Sequence, residues 1–326
     1  MRRCWGLAAG VAIALVLGGA GCSTDEPGDG PPAAKDPPPT RPVDFEGPDP
    51  AVLAADGSYW LFTTSADGLL VPVRRATGAG TWGPPTEALA RRPAWAGQDT
   101  VWAPGVMEVK GRFVLWLTSP TDADDDLSQC IGPAVSDAPG GPYEPLGDKP
   151  LMCGTDGPTI DPFPWRAADG RLYVAWTQYH YKSGEPTEIR ASALDDSGTR
   201  LVGEPARLLT DPSGWEKLIL ENPALIARDD GTVRLLYSGG FYFTADYATG
   251  TATCEGPLGP CERDTPGRPW HHRGKGMNGP GGMSVFTGHD GQVWTVFHAW
   301  GDRVGYDRGG RRSPHVVRLA DLPPLP

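Results

Sequence analysis

Residues 157–176 read GPTIDPFPWRAADGRLYVAW. An acidic residue stands before a proline (Asp161, Pro162), a short apolar run follows, and Asp169-Gly170 separates it from an alternating segment, Arg171 to Trp176. Asp-Gly between two apolar runs signals a hairpin, because glycine accepts the positive φ of a primed turn. The stretch therefore predicts a β-hairpin led by a carboxylate.

The same grammar recurs at four other places. Asp56-Gly57 precedes SYWLFTT, Lys110-Gly111 precedes RFVLWLTS, Asp230-Gly231 precedes TVRLLYSGG, and Asp290-Gly291 precedes QVWTVFHAW. The five turn glycines are spaced by about 54 to 61 residues, longer than a WD40 period and suited to four-stranded blades. Five repeats predict an all-β chain folded as a five-bladed β-propeller, in preference to a sandwich of similar hairpins. The 45 glycines and 36 prolines fit many short strands joined by turns, and no long amphipathic helical pattern stands out.

The first 21 residues have the layout of a signal peptide: two arginines, an apolar run from Leu7 to Leu17, then small residues. The junction before Cys22 resembles a bacterial lipoprotein signal, which implies diacylation of that thiol, although Gly19 replaces the usual large aliphatic residue. Residues 22–43 form a proline-rich linker too poor in apolar side chains to fold, expected as an extended tether. Residues 44–326 would be the propeller. The expected location is the cell surface, by lipid anchor, or the medium by secretion. A net charge of −11 argues against a nucleic-acid partner, and a monomer is expected. Of six cysteines, four lie beyond the leader and linker. In an exported chain they read as two disulfides, Cys130–Cys153 and Cys254–Cys261, although four cysteines allow three pairings. No Cys-x-x-Cys or ligand-spaced histidine set suggests zinc.

The residues opening each repeat are Asp49-Pro50, Trp102-Ala103-Pro104, Asp161-Pro162, Glu221-Asn222-Pro223 and Gly279-Pro280-Gly281. Radial symmetry would bring Asp49, Asp161 and Glu221 to one mouth, where mutual repulsion raises some of their pKa values. Such a set can hold one carboxyl protonated and another ionised, as glycoside hydrolysis requires. Any one of them alone reads as a turn or loop acceptor.

Together these five stretches resemble glycoside hydrolase family 43, from about residue 45 to 300. The resemblance implies a five-bladed propeller and inverting hydrolysis of arabinose- or xylose-containing glycans. It implies Asp49 as general base, Asp161 as the carboxylate that orients the acid and raises its pKa, and Glu221 as general acid. Trp102 would offer a wall for an apolar sugar face, with Phe163 and His298 as further substrate-binding candidates. One departure is Gly282, where many relatives carry a histidine close to a central metal. No cofactor is therefore required, and an axial calcium ion is left unassigned. His271-His272 reads as a surface pair; Arg311 and Arg312 could turn toward the axis to bind a sugar hydroxyl or a carboxylate, although solvation in a loop is the preferred reading. Two alternatives remain: a non-catalytic glycan-binding lipoprotein on the same propeller, and a hydrolase directed at galactan or fructan.

Overall fold

The computed structural model describes residues 36–40 and 43–326, except 126, 213 and 275. The expected signal peptide, Cys22 and most of the linker lie outside the described residues. Five antiparallel sheets follow one another along the chain. Blades I, III and IV have four strands in sequential order, and blade V has three. Blade II has four and a further short strand, Met152–Cys153, paired to its third. The inner strands are Ala51–Ala55, Trp102–Val109, Thr159–Arg166, Leu220–Ala227 and Asn278–Thr287. Each contacts the inner strand of the next blade, and the last returns to the first. That cyclic closure makes the fold a five-bladed β-propeller. Among the described residues there is no α-helix, only three single 3₁₀ turns.

Strand alternation explains the closure. In the second strand of blade II, Arg112–Pro120, the side chains of Phe113, Leu115 and Leu117 join Leu53, Phe62 and Val73 of blade I. Their neighbours Val114 and Trp116 join Leu172, Val174 and Trp176 of blade III. Successive side chains point to opposite faces of a strand, so a middle strand sandwiched between blades is apolar on both. Three more clusters fill the III–IV, IV–V and V–I interfaces. There is one apolar layer for each of the five interfaces.

The turns depart from the expectation in an informative way. Asp56-Gly57 and Lys110-Gly111 have positive φ at both positions, as a two-residue primed turn needs. At Asp169, Asp230 and Asp290 the loop is one residue longer, and only the glycine has positive φ. There the aspartate acts through its side chain. Its Oδ1 accepts the N–H two residues on, from Arg171, Thr232 or Gln292, at 3.0 Å each, the bond by which Asp favours turns.

The ring closes through the segment before Asp49. Gly47 N–H donates to the Arg312 carbonyl at 2.9 Å, and a Cβ on Gly47 would lie 2.5 Å from Pro314 Cγ, so only glycine allows this approach. Part of the expected tether also lies on the propeller: Pro38 and Pro39 are buried, and the Tyr59 hydroxyl donates to the Asp36 carbonyl at 2.7 Å. Both disulfides form as paired above, each across a strand pair.

Candidate active site

At the end of each second strand, or two residues beyond it in blade I, a side chain accepts the backbone N–H of one residue in the next blade. Thr64 accepts from Ala103 (2.9 Å), Thr118 from Asp161 (3.3 Å), Thr177 from Asn222 (3.2 Å) and Ser238 from Gly282 (2.9 Å). The ring is completed by His298 Nδ1, which accepts from Asp49 at 3.1 Å. All five donors have left-handed φ, between 44° and 59°. In blades II to V the inner strand loses its ladder register just there. These are β-bulges, which re-aim side chains and often flank active sites. Together with the left-handed φ of Asp49, which precedes the first strand of blade I, they turn five residues toward the axis.

This frame corrects the register read from the sequence. The equivalent positions are Asp49, Ala103, Asp161, Asn222 and Gly282. Glu221 stands one residue earlier, still paired to Ser238 in the ladder, and its counterpart in blade II is Trp102. In blade V the equivalent is Gly282, three residues beyond Gly279.

The structure nevertheless brings the three carboxylates together. Asp161 and Glu221 are each 7 % exposed, and each has its pKa raised, first by burial. For Asp161 the charges of Glu221 and then Asp49 add to the rise, while the Asn222 N–H (3.1 Å) and the Thr177 hydroxyl (3.2 Å) oppose it by donating to Oδ2. Glu221 accepts from the Tyr179 hydroxyl at 2.6 Å on one oxygen and from Tyr247 at 2.7 Å on the other. These bonds and the Arg312 charge favour its ionised form, yet burial, with Asp49 adding to it, prevails. A protonated Glu221 needs one tyrosine to accept instead of donate, and a phenol does either.

Asp49 Oδ2 accepts the Thr64 hydroxyl at 2.8 Å, and Arg312 Nη1 lies 3.6 Å from Oδ1. Arg312 was expected to be solvated; it is 8 % exposed. Burial works against its charge, but Asp49, Tyr306 and Glu46 outweigh that, and its pKa is raised. Its Nε donates to the Tyr306 hydroxyl, which donates to Glu46, and Glu46 also accepts the Arg312 N–H. The segment that closes the ring thus holds the cation that faces Asp49. Arg311 is exposed and pairs with Asp44.

The remaining candidates separate. Trp102 is half-buried, its Nε1 donating to Thr100, and it occupies the blade II counterpart of Glu221. Phe163 is partly buried. It lines an axial cavity of about 30 Å³, room for roughly one water, and packs against two core clusters. His298 is fully buried and acts on Asp49 through the backbone, out of reach of substrate. Burial lowers its pKa to about 3, so the ring is neutral. With Nδ1 accepting from Asp49, Nε2 carries the proton and neither nitrogen is free to ligate a metal. Among the described residues no three His, Cys, Asp or Glu side chains are grouped to hold one. His271, expected at the surface, is buried edge-on against Phe297, with its pKa lowered by burial to about 4.

Residues 39–317 match the sequence model of "Glycosyl hydrolases family 43". The chain is a member of glycosyl hydrolases family 43. It is thereby a glycoside hydrolase, and the fold agrees. A thermostable family 43 glycoside hydrolase is 25 % identical with a TM-score of 0.75, covering 88 % of this chain and 98 % of that one. An α-L-arabinofuranosidase from Lactobacillus brevis is 21 % identical, TM-score 0.71, with 88 % and 97 % covered. An endo-arabinase from Bacteroides thetaiotaomicron VPI-5482 is 21 % identical, TM-score 0.69, with 86 % and 96 % covered. Among curated proteins no match is found.

The sequence reading missed Tyr179, Tyr247, Asn222 and Arg312. A signal existed for Asn222: Asp49, Ala103, Asp161 and Asn222 each precede a proline, which identifies the left-handed, inward-turned position in four of the five blades.

Proposed function

We propose that this family 43 hydrolase cleaves arabinose- or xylose-containing polysaccharides, or their side chains, with inversion at the anomeric carbon. The observation that carries the mechanism is that three carboxylates from three blades lie close enough to feel one another's charge, two of them buried. Asp49, held by Thr64, His298 and Arg312, takes a proton from the attacking water. Glu221 gives a proton to the departing oxygen. Asp161 and Glu221 disfavour a second negative charge between them, so the buried pair retains a proton, and with Asp161 ionised that proton sits on the acid. Trp102 stands at the mouth as a face for the sugar ring. The arabinanase- and arabinofuranosidase-like folds of its structural neighbours support a pentose glycan as substrate.

The test is proton NMR of the first-formed product from aryl arabinofuranosides, aryl xylosides, arabinan and xylan. Inverted product, with activity lost in Asp49→Ala and Glu221→Gln, is expected. Retained configuration, or unchanged turnover in either variant, overturns the assignment. For location we propose an exported monomer anchored through acylated Cys22. Its support is the leader sequence, and radiolabelled palmitate incorporation that persists in Cys22→Ser refutes it.

A further inference from the structure

The loop following the second strand of blade IV carries Phe241, Tyr242 and Phe243, exposed by 40, 42 and 53 %. Phe241 and Phe243 lie nearly parallel with centroids 5.5 Å apart, and Tyr242 meets Phe243 edge-on at 5.4 Å. Three adjacent exposed aromatics are an unusual cost on a soluble surface and mark an interaction site. Leu218, 63 % exposed, is a fourth apolar residue in this part of the chain: its neighbour Lys217 places its ammonium 6.0 Å from the Phe241 ring. Both Lys217 and Leu218 have left-handed φ, and the Leu218 carbonyl is fixed by the Thr187 hydroxyl at 3.1 Å. Strain of this kind persists where the surroundings over-determine it.

The loop is held at both ends by the candidate active site. Ser238 before it accepts the Gly282 N–H, and Tyr247 after it donates to Glu221. Between them, Trp300 Nε1 donates to the Tyr242 carbonyl at 2.8 Å, Thr244 binds the Phe241 carbonyl, and the Arg312 guanidinium sits 4.7 Å from the Tyr242 ring. The loop is therefore pinned between Tyr247, which bonds Glu221, and Arg312, which faces Asp49.

We propose that Phe241 and Phe243, with Leu218, form a stacking platform for a sugar on the leaving-group side of the cleaved bond. The proposal rests on the hydrolase reading for its direction. Glu221 protonates the departing oxygen, so the departing sugar lies on the side of Glu221 and its blade. An apolar sugar face covers aromatic surface there, and binding energy from that remote unit is available at the reacting centre. The substrate class is then oligomeric, with at least one sugar beyond the scissile bond.

The test compares wild type with Phe241→Ala/Phe243→Ala on short arabinan and xylan oligosaccharides and on the matching glycosyl fluorides, whose leaving group is one atom. The platform predicts that kcat/KM on oligosaccharides falls about tenfold while turnover of the fluoride is unchanged, which also shows that the variant is folded. Equal kcat/KM on oligosaccharides, or an equal fall on both, overturns it. Calorimetric titration of the same oligosaccharides decides the matter without turnover. Weaker binding by the variant supports the platform even where wild type hydrolyses nothing, an outcome that would remove the hydrolase reading alone. Unchanged affinity overturns the platform while leaving hydrolysis intact. Sedimentation showing a dimer that the double variant dissociates, with unchanged sugar affinity, would assign the aromatics to a second copy of the chain instead.

Discussion

Gly282 offers a direct test of how the base is held. A Cβ at this position would lie 2.6 Å from both Cε1 and Nδ1 of His298 and 3.0 Å from Asp49 Oδ1. Ordinary contact begins at 3.4 Å, so in Gly282→Ala the imidazole must retreat by about 0.8 Å. His298 is fully buried and stacked on Tyr247 at 5.8 Å, so it can retreat only by disturbing its neighbours, and the Asp49 N–H loses its acceptor. The left-handed φ of +59° costs an L-residue roughly 1–2 kcal/mol, and an unsatisfied buried N–H roughly 1–3 kcal/mol. The sum, about 2–5 kcal/mol, leaves a domain of ordinary stability folded. Displacing the base by about 1 Å costs on the order of 10²-fold in rate. Urea unfolding and initial rates on an aryl pentoside measure both effects. A variant within about 0.5 kcal/mol of wild type, the range of an ordinary surface substitution, and with unchanged kcat, would show that His298 does not position Asp49.

Two further outcomes follow from the electrostatics. Tyr247→Phe removes a donor that favours ionised Glu221, so the acid holds its proton to higher pH and the alkaline limb of the kcat/KM profile moves upward; a limb that stays or moves down contradicts the arrangement. Asp161 has its folded pKa raised, by burial, then Glu221, then Asp49, so its contribution to stability is fully present below its unfolded pKa and is lost as pH rises through the folded value. Asp161→Asn escapes that loss, and melting experiments at pH 4 and pH 7 should show the variant gaining on wild type toward neutrality while hydrolysis collapses; a constant or reversed difference argues against the buried pair.

The ring of blades was legible because it rests on local chemistry repeated five times: an apolar strand, a turn glycine, another strand. Even the accepting side chains can be seen afterwards, as Thr64, Thr118, Thr177 and Ser238 each close an apolar run. His298 was harder to read because it does the same work with a different group. The role of Arg312 was hidden by Arg311 beside it. Arg311 stands just before the last strand and Arg312 opens it, and composition does not say which of two adjacent arginines turns inward. The same ambiguity of one residue misplaced Glu221. Its two tyrosine partners could not be found from spacing, since Tyr179 and Tyr247 reach it from 42 and 26 residues away.

The offset of Glu221 has a physical rationale in the room available at the axis. Five equivalent positions turn inward, and with their present side chains they leave an axial cavity of only about 30 Å³, so bulkier residues there would have no space to occupy. The sequence meets that limit with two aspartates, one asparagine, one alanine and one glycine. Ala103 separates the blades of Asp49 and Asp161, so no bulk intrudes between them, and Gly282 gives its space to the His298 ring. A glutamate added to the same circle would have to share it with both aspartates. Placed one residue earlier, Glu221 remains in the ladder, where Tyr179 and Tyr247 fix both of its oxygens, and it still feels the charge of Asp49. Asp49 turns inward on a left-handed φ ahead of its strand while Glu221 keeps its place in a regular ladder, so the two stand at different places in the fivefold frame.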